Sequence, residues 1–543
     1  MRMRIRSSAA VRDKPAEPTA KPHGSRSFAR QSRAARARQP RSLRRGPSSG
    51  DPEWARAAAA WVGERLRAVP RAAWLCALVA VLNAVCWSIL TPPFQVVDEP
   101  SHFAYTQQLV ENHALPTSSE LSFSPEEETV LKDTRQYEIR QSPEIRTIAS
   151  QAEQSRLQQD LAQRPSRQGG GGVGGAYNDP PLYYALQTIP YALASSGTLL
   201  DQLEAMRLLS ALMAGVTALF TFLFLREVFP GRRWLWTAGA LSVALAPLLG
   251  FMSGSDNPDS MLTAVSALCF YAVARAFARG LSRPTAIAIG ALIAVGSLTK
   301  LNFLGLAPGI VLALVLLSVR AGRAQGRAAY GSLAIALAIA SAPVWLYVLA
   351  NLASGHPPLG VVSKTLGLKG AHGSILDKLG YVWQFYLPRL PGMHDYFPGI
   401  STTRDLWFNR GVGYYGWLDT SFPAWVQTAA IVPAAIVAAL FAAGLVVARA
   451  TLRARLAEAI VYATMGFGLL VLVGLTSYIY RNEGAFAEPR YLLPLLPLLA
   501  LVLAVAIHGA GRRAGLAVAA GIVVLFLAHD IFSQLLVVSR YYA

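Results

Sequence analysis

Apolar runs of about 17–25 residues, each long enough to cross a bilayer as a helix, recur along most of this chain. The candidates are 72–90, 208–225, 234–252, 260–278, 284–299, 302–319, 329–350, 424–447, 457–479, 491–508 and 514–535. Backbone polar groups in lipid must be satisfied inside the segment that crosses, so such runs fold as helices. The chain reads as all-α, a polytopic transmembrane helical protein with about eleven spans. A soluble fold is excluded, since 53% of the residues are hydrophobic and only 15% charged.

Charge gives the expected topology. Residues 1–50 hold fourteen Arg and Lys against Asp13 and Glu17, so twelve of the nineteen net positive charges lie there. Rich in Pro, Ser, Gly and Ala and without apolar periodicity, residues 1–68 read as a disordered basic cytoplasmic tail. Anionic lipid accounts for such a tail, and no nucleic-acid partner is expected. The membrane domain then covers 69–540. Its first run is of full spanning length and is followed by TPPFQ, which predicts a retained signal anchor. Basic connections such as Arg226/Arg232/Arg233, Arg320/Arg323/Arg327 and Arg449/Arg453/Arg455 all fall on one side if 182–198 does not span. The expectation is N-in, C-out, with 182–198 lying in the interface and Tyr183 and Tyr184 at headgroup level. Cys76, Cys86 and Cys269 sit in apolar segments without metal-ligand spacing and read as packing residues.

Two long connections, 91–206 and 351–422, then lie outside. The first holds a polar helical stretch, 124–163, and the Gly-rich linker 169–175. On the same side, ionisable residues gather at the ends of apolar runs, where they are costly to place and point to a site. Asp98, Glu99 and His102 follow the first run, and Asp256, Asn257 and Asp259 close the third. Lys300 stands between two apolar helices, Asp419 ends YYGWLDTSFP, and Arg481, Glu483, Glu488 and Arg490 flank the last outer loop. Structural alternatives exist for each. Asp256 or Asn257 can N-cap the next helix, with Pro258 in its first turn. Lys300 can snorkel to headgroups, Asp419 can bond a turn, and Arg481 and Arg490 can pair with Glu483 and Glu488. His102 has no second His at ligand spacing.

DEPSHF after the first span, NDPPLYY opening an interfacial helix, RLLSAL, the Lys-bearing SLTK and a late RYLLPLLP together resemble the GT-C superfamily of membrane glycosyltransferases. DEPSHFAY, NPD, YYGWLDTSFP and EPRYLLPLLPLL look more narrowly like one bacterial family of membrane proteins labelled as a domain of unknown function. The likeness spans about 70–540, and the Arg-, Ala- and Gly-rich composition resembles that of a high-GC actinobacterium. It implies a bacterial plasma-membrane enzyme that moves a sugar from a polyprenyl-phosphate carrier to an envelope glycan, lipid or protein on the outer face. The catalytic carboxylate carried over by motif position is Asp98 or Glu99. The chain departs from the better-studied branches in having NDPPLYY, with no Lys beside Pro180 and Pro181, where those carry EKPP or HPPLGK.

In that scheme Asp98 is the general base and Glu99 supports it, a role worth typically 10²–10⁴-fold. Lys300, Arg490 and Arg207 are candidates to hold the lipid phosphate. His102, Asp256, Asn257, Asp259 and Asp419 complete the polar substrate-binding set. Tyr105, Tyr183, Tyr415, Trp417 and Tyr491 supply aromatic surface. The paired carboxylates also leave a divalent cation, Mg or Mn, open. Two other classes compete: a transporter or flippase of lipid-linked saccharides, which wants ionisable residues at the bilayer midplane, and a non-catalytic envelope-assembly protein.

Overall fold

In a computed structural model, residues 68–542 are described apart from 117–121, 141, 143, 146–149, 171–175, 177–178, 327, 354–373 and 482–487. The basic tail up to residue 67, most of the 169–175 linker and Glu483 lie outside the described residues. The protein is an all-α, multi-pass membrane protein, and helix α1 (Arg71–Leu90) opens it. Beyond α1 the first long connection carries α2 (Glu99–Glu111), α3 (Pro125–Asp133), α4 (Gln136–Ile139), α5 (Gln151–Ala162) and α6 (Leu182–Leu193). Then come α7 (Leu199–Val228), α8 (Arg233–Ala244), α9 (Pro247–Ser253), α10 (Pro258–Arg279), α11 (Arg283–Thr299), α12 (Ala307–Gln325) and α13 (Ala328–Ala353). The second long connection holds α14 (Ile375–Tyr386) and the two-residue strands β1 (Tyr414–Tyr415) and β2 (Thr420–Ser421). The chain closes with α15 (Ala424–Val447), α16 (Leu456–Ile479), α17 (Leu496–Gly509) and α18 (Gly511–Tyr542).

Every apolar run predicted to span carries helix, but the runs are not equivalent. Among the described residues eight helices are long and apolar enough to cross a membrane, or nine if α8 and α9, bent by 55° to one another, count as one span. The break falls at Pro247, whose ring cannot continue the hydrogen-bond ladder. Helix α11 is only 17 residues long, and the 302–319 run divides into a tight 3-10 turn, Leu301–Gly305, and α12. Both departures from a plain span flank Lys300.

Helix α7 is the centre of the packing, with α1, α8 and α10 against it. Close approach to α1 requires Gly215, where a Cβ would come within 2.6 Å of Val81. The polar starts of the helices are closed locally. Asn257 Oδ1 accepts from the Asp259 amide to cap α10, while Thr198 and Asp201 form a capping box on α7. Helix α6 does not span: twelve residues reach about 18 Å at 1.5 Å per residue, well short of the hydrocarbon core. Leu193 and Ile189 point outward at 82% and 57% exposure, as expected for an interfacial helix. The headgroup placement of Tyr183 and Tyr184 is corrected, because both are buried in the protein at 1% and 0% exposure. Their hydroxyls find side-chain partners there that an interfacial ring would lack.

In the second long connection, β1 and β2 form a hairpin whose turn needs Gly416 at φ +66°. A Cβ at that position would also meet the Tyr541 hydroxyl at 2.6 Å, so the turn is docked on the last helix.

The N-in orientation is tested by labelling with a membrane-impermeant maleimide after the lipid-exposed Cys86 is replaced. Cysteine placed at the exposed Ser150 labels in intact cells, and at the exposed Ser282 only after permeabilisation. The reverse pattern would invert the topology.

Candidate functional site

The chain leaves α1 through a turn, Thr91–Asp98, in which Phe94 and Asp98 both adopt left-handed backbone conformation, at φ 62° and 67°. Such a conformation is unfavourable for a bulky Phe, tolerated by Asp, and persists only where surroundings over-determine it. Arg207 of α7 does so. Its Nη1 donates to the carbonyls of Ser88 and Thr91, its Nη2 to that of Pro92, and Glu204 lies 3.4 Å from Nη1. Its Nε and Nη2 form a two-pronged pair with Glu99, 2.7 Å on each prong. Glu99 accepts in addition from the Phe94 and Asp256 amides. Both side chains are 0% exposed, and every donor of the guanidinium is in use.

Neighbouring carboxylates therefore do different things. Glu99 points inward to the Arg207 lock, whereas Asp98 points into a recess and keeps 45% of its side chain exposed. Its Oδ2 lies 2.7 Å from Arg490 Nη2. Burial works against the Asp98 charge, but Arg490, His102 and Lys300 outweigh it, holding the carboxyl below the usual carboxylate range. Arg490 comes from the 3-10 turn Pro489–Leu495 that leads into α17, and Glu488 lies 2.5 Å from its Nε. Lys300 Nζ bonds Asp259 Oδ1 at 2.7 Å and faces the Tyr491 ring at 5.9 Å. Arg490 Nη1 and Asn257 Nδ2 are buried donors with no hydrogen-bond partner among the described residues. Asp256 Oδ2 and Asp259 Oδ2 are likewise unpartnered acceptors.

Asp256 Oδ1 accepts from Tyr183 at 2.7 Å and Gln187 at 3.2 Å. Burial pushes its carboxyl up to about 7, opposed by the Tyr183 bond and reinforced by Glu99. On the other side of α6, Tyr184 donates to Asp179 at 3.1 Å and meets His102 Nδ1 at 2.9 Å. Tyr105 stacks on Tyr184 at 3.7 Å between ring centroids.

The predicted residues thus divide. Asp98, His102, Asn257, Asp259, Lys300, Arg490 and Tyr491 share one neighbourhood, with Tyr105, Tyr183 and Asp256 beside it. Glu99 and Arg207 lie beneath it as its support. Trp417 and Asp419 sit in separate contacts. Trp417 donates to the Phe94 carbonyl at 3.0 Å under the Arg140 guanidinium, and Asp419 pairs with Arg540 of α18 at 2.9 Å. Tyr415 bonds Ser533 of the same helix, and Arg481 folds back on Tyr478. The sequence reading passed over Asp179 and Tyr184 as ligands of the site. Their signal lay in NDPPLYY, where an acidic residue and a Tyr pair straddle a helix start.

Among the described residues no three His, Cys, Asp or Glu side chains converge to hold an ion. Asp98, Glu99 and Asp259 each already face a Lys or Arg.

Comparisons with known proteins bear on the fold. A family model described as "Predicted membrane protein (DUF2142)" matches residues 81–499. Among solved structures, ArnT from Cupriavidus metallidurans bound to undecaprenyl phosphate is similar at a TM-score of 0.42 and 15% identity, over 86% of this chain and 74% of that one. The apo oligosaccharyltransferase of Archaeoglobus fulgidus gives 0.43 and 14%, over 86% of this chain and 56% of that one. Likenesses at such scores carry no argument about the reaction. No curated protein matches the chain.

The Glu99–Arg207 lock has a direct test in thermal or denaturant unfolding of the detergent-solubilised protein. Arg207→Met leaves a buried carboxylate uncompensated and destabilises by about 3–5 kcal/mol. Adding Glu99→Gln recovers part of that loss. A double variant no more stable than Arg207→Met alone would show that the two residues do not act as a pair.

Proposed function

We propose that this chain, which belongs to the DUF2142 family of predicted membrane proteins, is a membrane glycosyltransferase working at the outer face. Its donor is a sugar on a polyprenyl-phosphate carrier, and its acceptor is a hydroxyl-bearing component of the cell envelope. The family resemblance carried by DEPSHF, NDPPLYY and RYLLPLLP supports that class. One observation carries the reading furthest. An accessible, ionised carboxylate, Asp98, stands beside a buried guanidinium, Arg490, whose Nη1 has no hydrogen-bond partner among the described residues.

Transfer makes a bond from the acceptor oxygen to the sugar C1 while the bond from C1 to the phosphate oxygen breaks. A lipid phosphate is already a good leaving group, so charge stabilisation matters more than protonation. Arg490 Nη1, Lys300 Nζ and Asn257 Nδ2 supply largely buried, fixed donors for it. Asp98 takes the acceptor proton, and Arg490 keeps it ionised and in place. Glu99 and Arg207 hold the turn that presents Asp98 and touch no substrate, since all their polar atoms are in use within the fold.

The ionisable groups lie at helix ends: after α1, at the start of α10, after α11 and before α17. A flippase wants them along a path through the midplane, and that placement favours the enzyme.

The reading is tested by comparing envelope glycans and lipid-linked sugars in a deletion strain complemented with wild-type protein or with Asp98→Asn. Loss of one glycan with its donor accumulating, and at least a hundredfold loss of transfer in Asp98→Asn at unchanged protein level, is expected. Full complementation by Asp98→Asn would sink the role of that carboxylate. Arg490→Lys keeps the charge but loses the fork, and should lose about tenfold or more.

A further inference from the structure

Several of the basic connections meet at the end of the bundle away from Asp98. Glu227 lies near the end of α7, twenty residues after Arg207, and Arg279 closes α10, twenty residues after Asp259. At 1.5 Å per residue each helix runs about 30 Å between those positions, the thickness of a hydrocarbon core. At that far end a cavity of about 310 Å³ lies between the last turns of α7, α10 and α12 and the start of α16. Its rim is exposed at Pro230, Ala278, Arg320 and Ala454, and Glu227, Phe277, Arg455 and Glu458 line it more deeply.

Both acids of this lining are already matched. Glu458 receives a two-pronged bond from Arg455, at 2.6 and 2.7 Å, and a third bond from Tyr462 at 2.7 Å. Arg455 also donates to the Val228 carbonyl. Glu227 lies 3.0 Å from Arg279 and 3.8 Å from Arg275. Arg320 differs from these. Its guanidinium stands over the Phe277 ring at 5.6 Å and meets no carboxylate among the described residues. Four guanidiniums therefore face two carboxylates, and the one without an acid sits at the mouth.

We propose that this cavity binds the phosphate headgroup of an anionic membrane lipid, with Arg320 as its principal contact. The surplus of positive charge selects a net negative group, and guanidinium donors match phosphate oxygens. Repulsion from Glu227 and Glu458 is offset by the arginines already bonded to them. A position about 30 Å from the recess along the helices puts the cavity at headgroup level of the opposite membrane surface, where lipid phosphates are concentrated. Apolar side chains exposed on α12, Val315 and Val319, and on α16, Leu456 and Ile460, give acyl chains a surface beside it. A free phosphate makes no use of that surface, so the flanks favour a lipid. Four helices contribute to the cavity, and a headgroup bound there ties their ends together and stabilises the bundle. The site is independent of the glycosyltransferase reading.

The test uses full-length protein in detergent, stripped of lipid and titrated with phosphatidylglycerol, phosphatidylcholine, glycerol 3-phosphate or inorganic phosphate. Native mass spectrometry counts what is bound, and thermal unfolding reports the stabilisation. One phosphatidylglycerol is expected to bind in preference to phosphatidylcholine and to raise Tm. Arg320→Gln weakens that binding about tenfold, a charge-assisted bond being lost. Ala454→Phe fills the mouth, leaves every ion pair intact and should weaken binding to a similar degree. Arg323→Gln, at the same end of α12 but outside the cavity, changes binding by about twofold at most. Undiminished binding in Arg320→Gln and Ala454→Phe, or equal losses in Arg320→Gln and Arg323→Gln, overturns the site in favour of diffuse surface charge. Phosphatidylcholine bound as tightly as phosphatidylglycerol overturns the selection by charge. Glycerol 3-phosphate or inorganic phosphate bound as tightly as the lipid overturns the lipid as occupant.

Discussion

The Glu99–Arg207 pair is the contact on which the site depends. A fully buried ion pair does little for stability by itself, because desolvating two charges offsets most of their attraction. Its value here is geometric. Arg207 projects from the middle of the bundle into the turn after α1 and takes up three carbonyls, and Glu99 returns two backbone amides. One of those amides belongs to Asp256, so the turn after α1 and the loop before α10 are fastened to the same carboxylate. Left-handed backbone at Phe94 and Asp98 is held in place by this fastening.

A second set of ion pairs joins segments far apart in sequence. Asp98 meets Arg490 across 392 positions, Asp259 meets Lys300 across 41, and Asp419 meets Arg540 across 121. The first two converge on the recess and leave Arg490 Nη1 and Asn257 Nδ2 without hydrogen-bond partners among the described residues. The third is structural: Arg540 also binds the carbonyls of Ile139, Ser142 and Ile145, tying both long connections to the last helix. Asp419, drawn from the sequence as a substrate contact, thus serves the frame around the recess.

Much of the site was legible because charge in an apolar chain is conspicuous. Asp98, Asp259, Lys300 and Arg490 stand out against hydrocarbon-length runs, and the bias of the basic loops gave the expectation that they share one side. Asn257 was legible as a cap for the same local reasons that make it one. Asp179 and Tyr184 were not, since an acid in a polar loop and a Tyr in an interfacial helix are ordinary in those places. Only the turn of α6 toward the bundle gives them partners.

The sequence by itself determined the class of fold and the helical character of each apolar run. These follow from the bilayer, which acts on every residue through local hydrophobicity and charge. The tertiary structure alone decided which of two adjacent carboxylates faces the recess and which is sealed in the bundle. Asp98 and Glu99 are alike in charge and context, and a one-residue step along the chain swings the side chain from one direction to another. What separates them is the arrival of Arg207 and Arg490 from helices more than a hundred positions away.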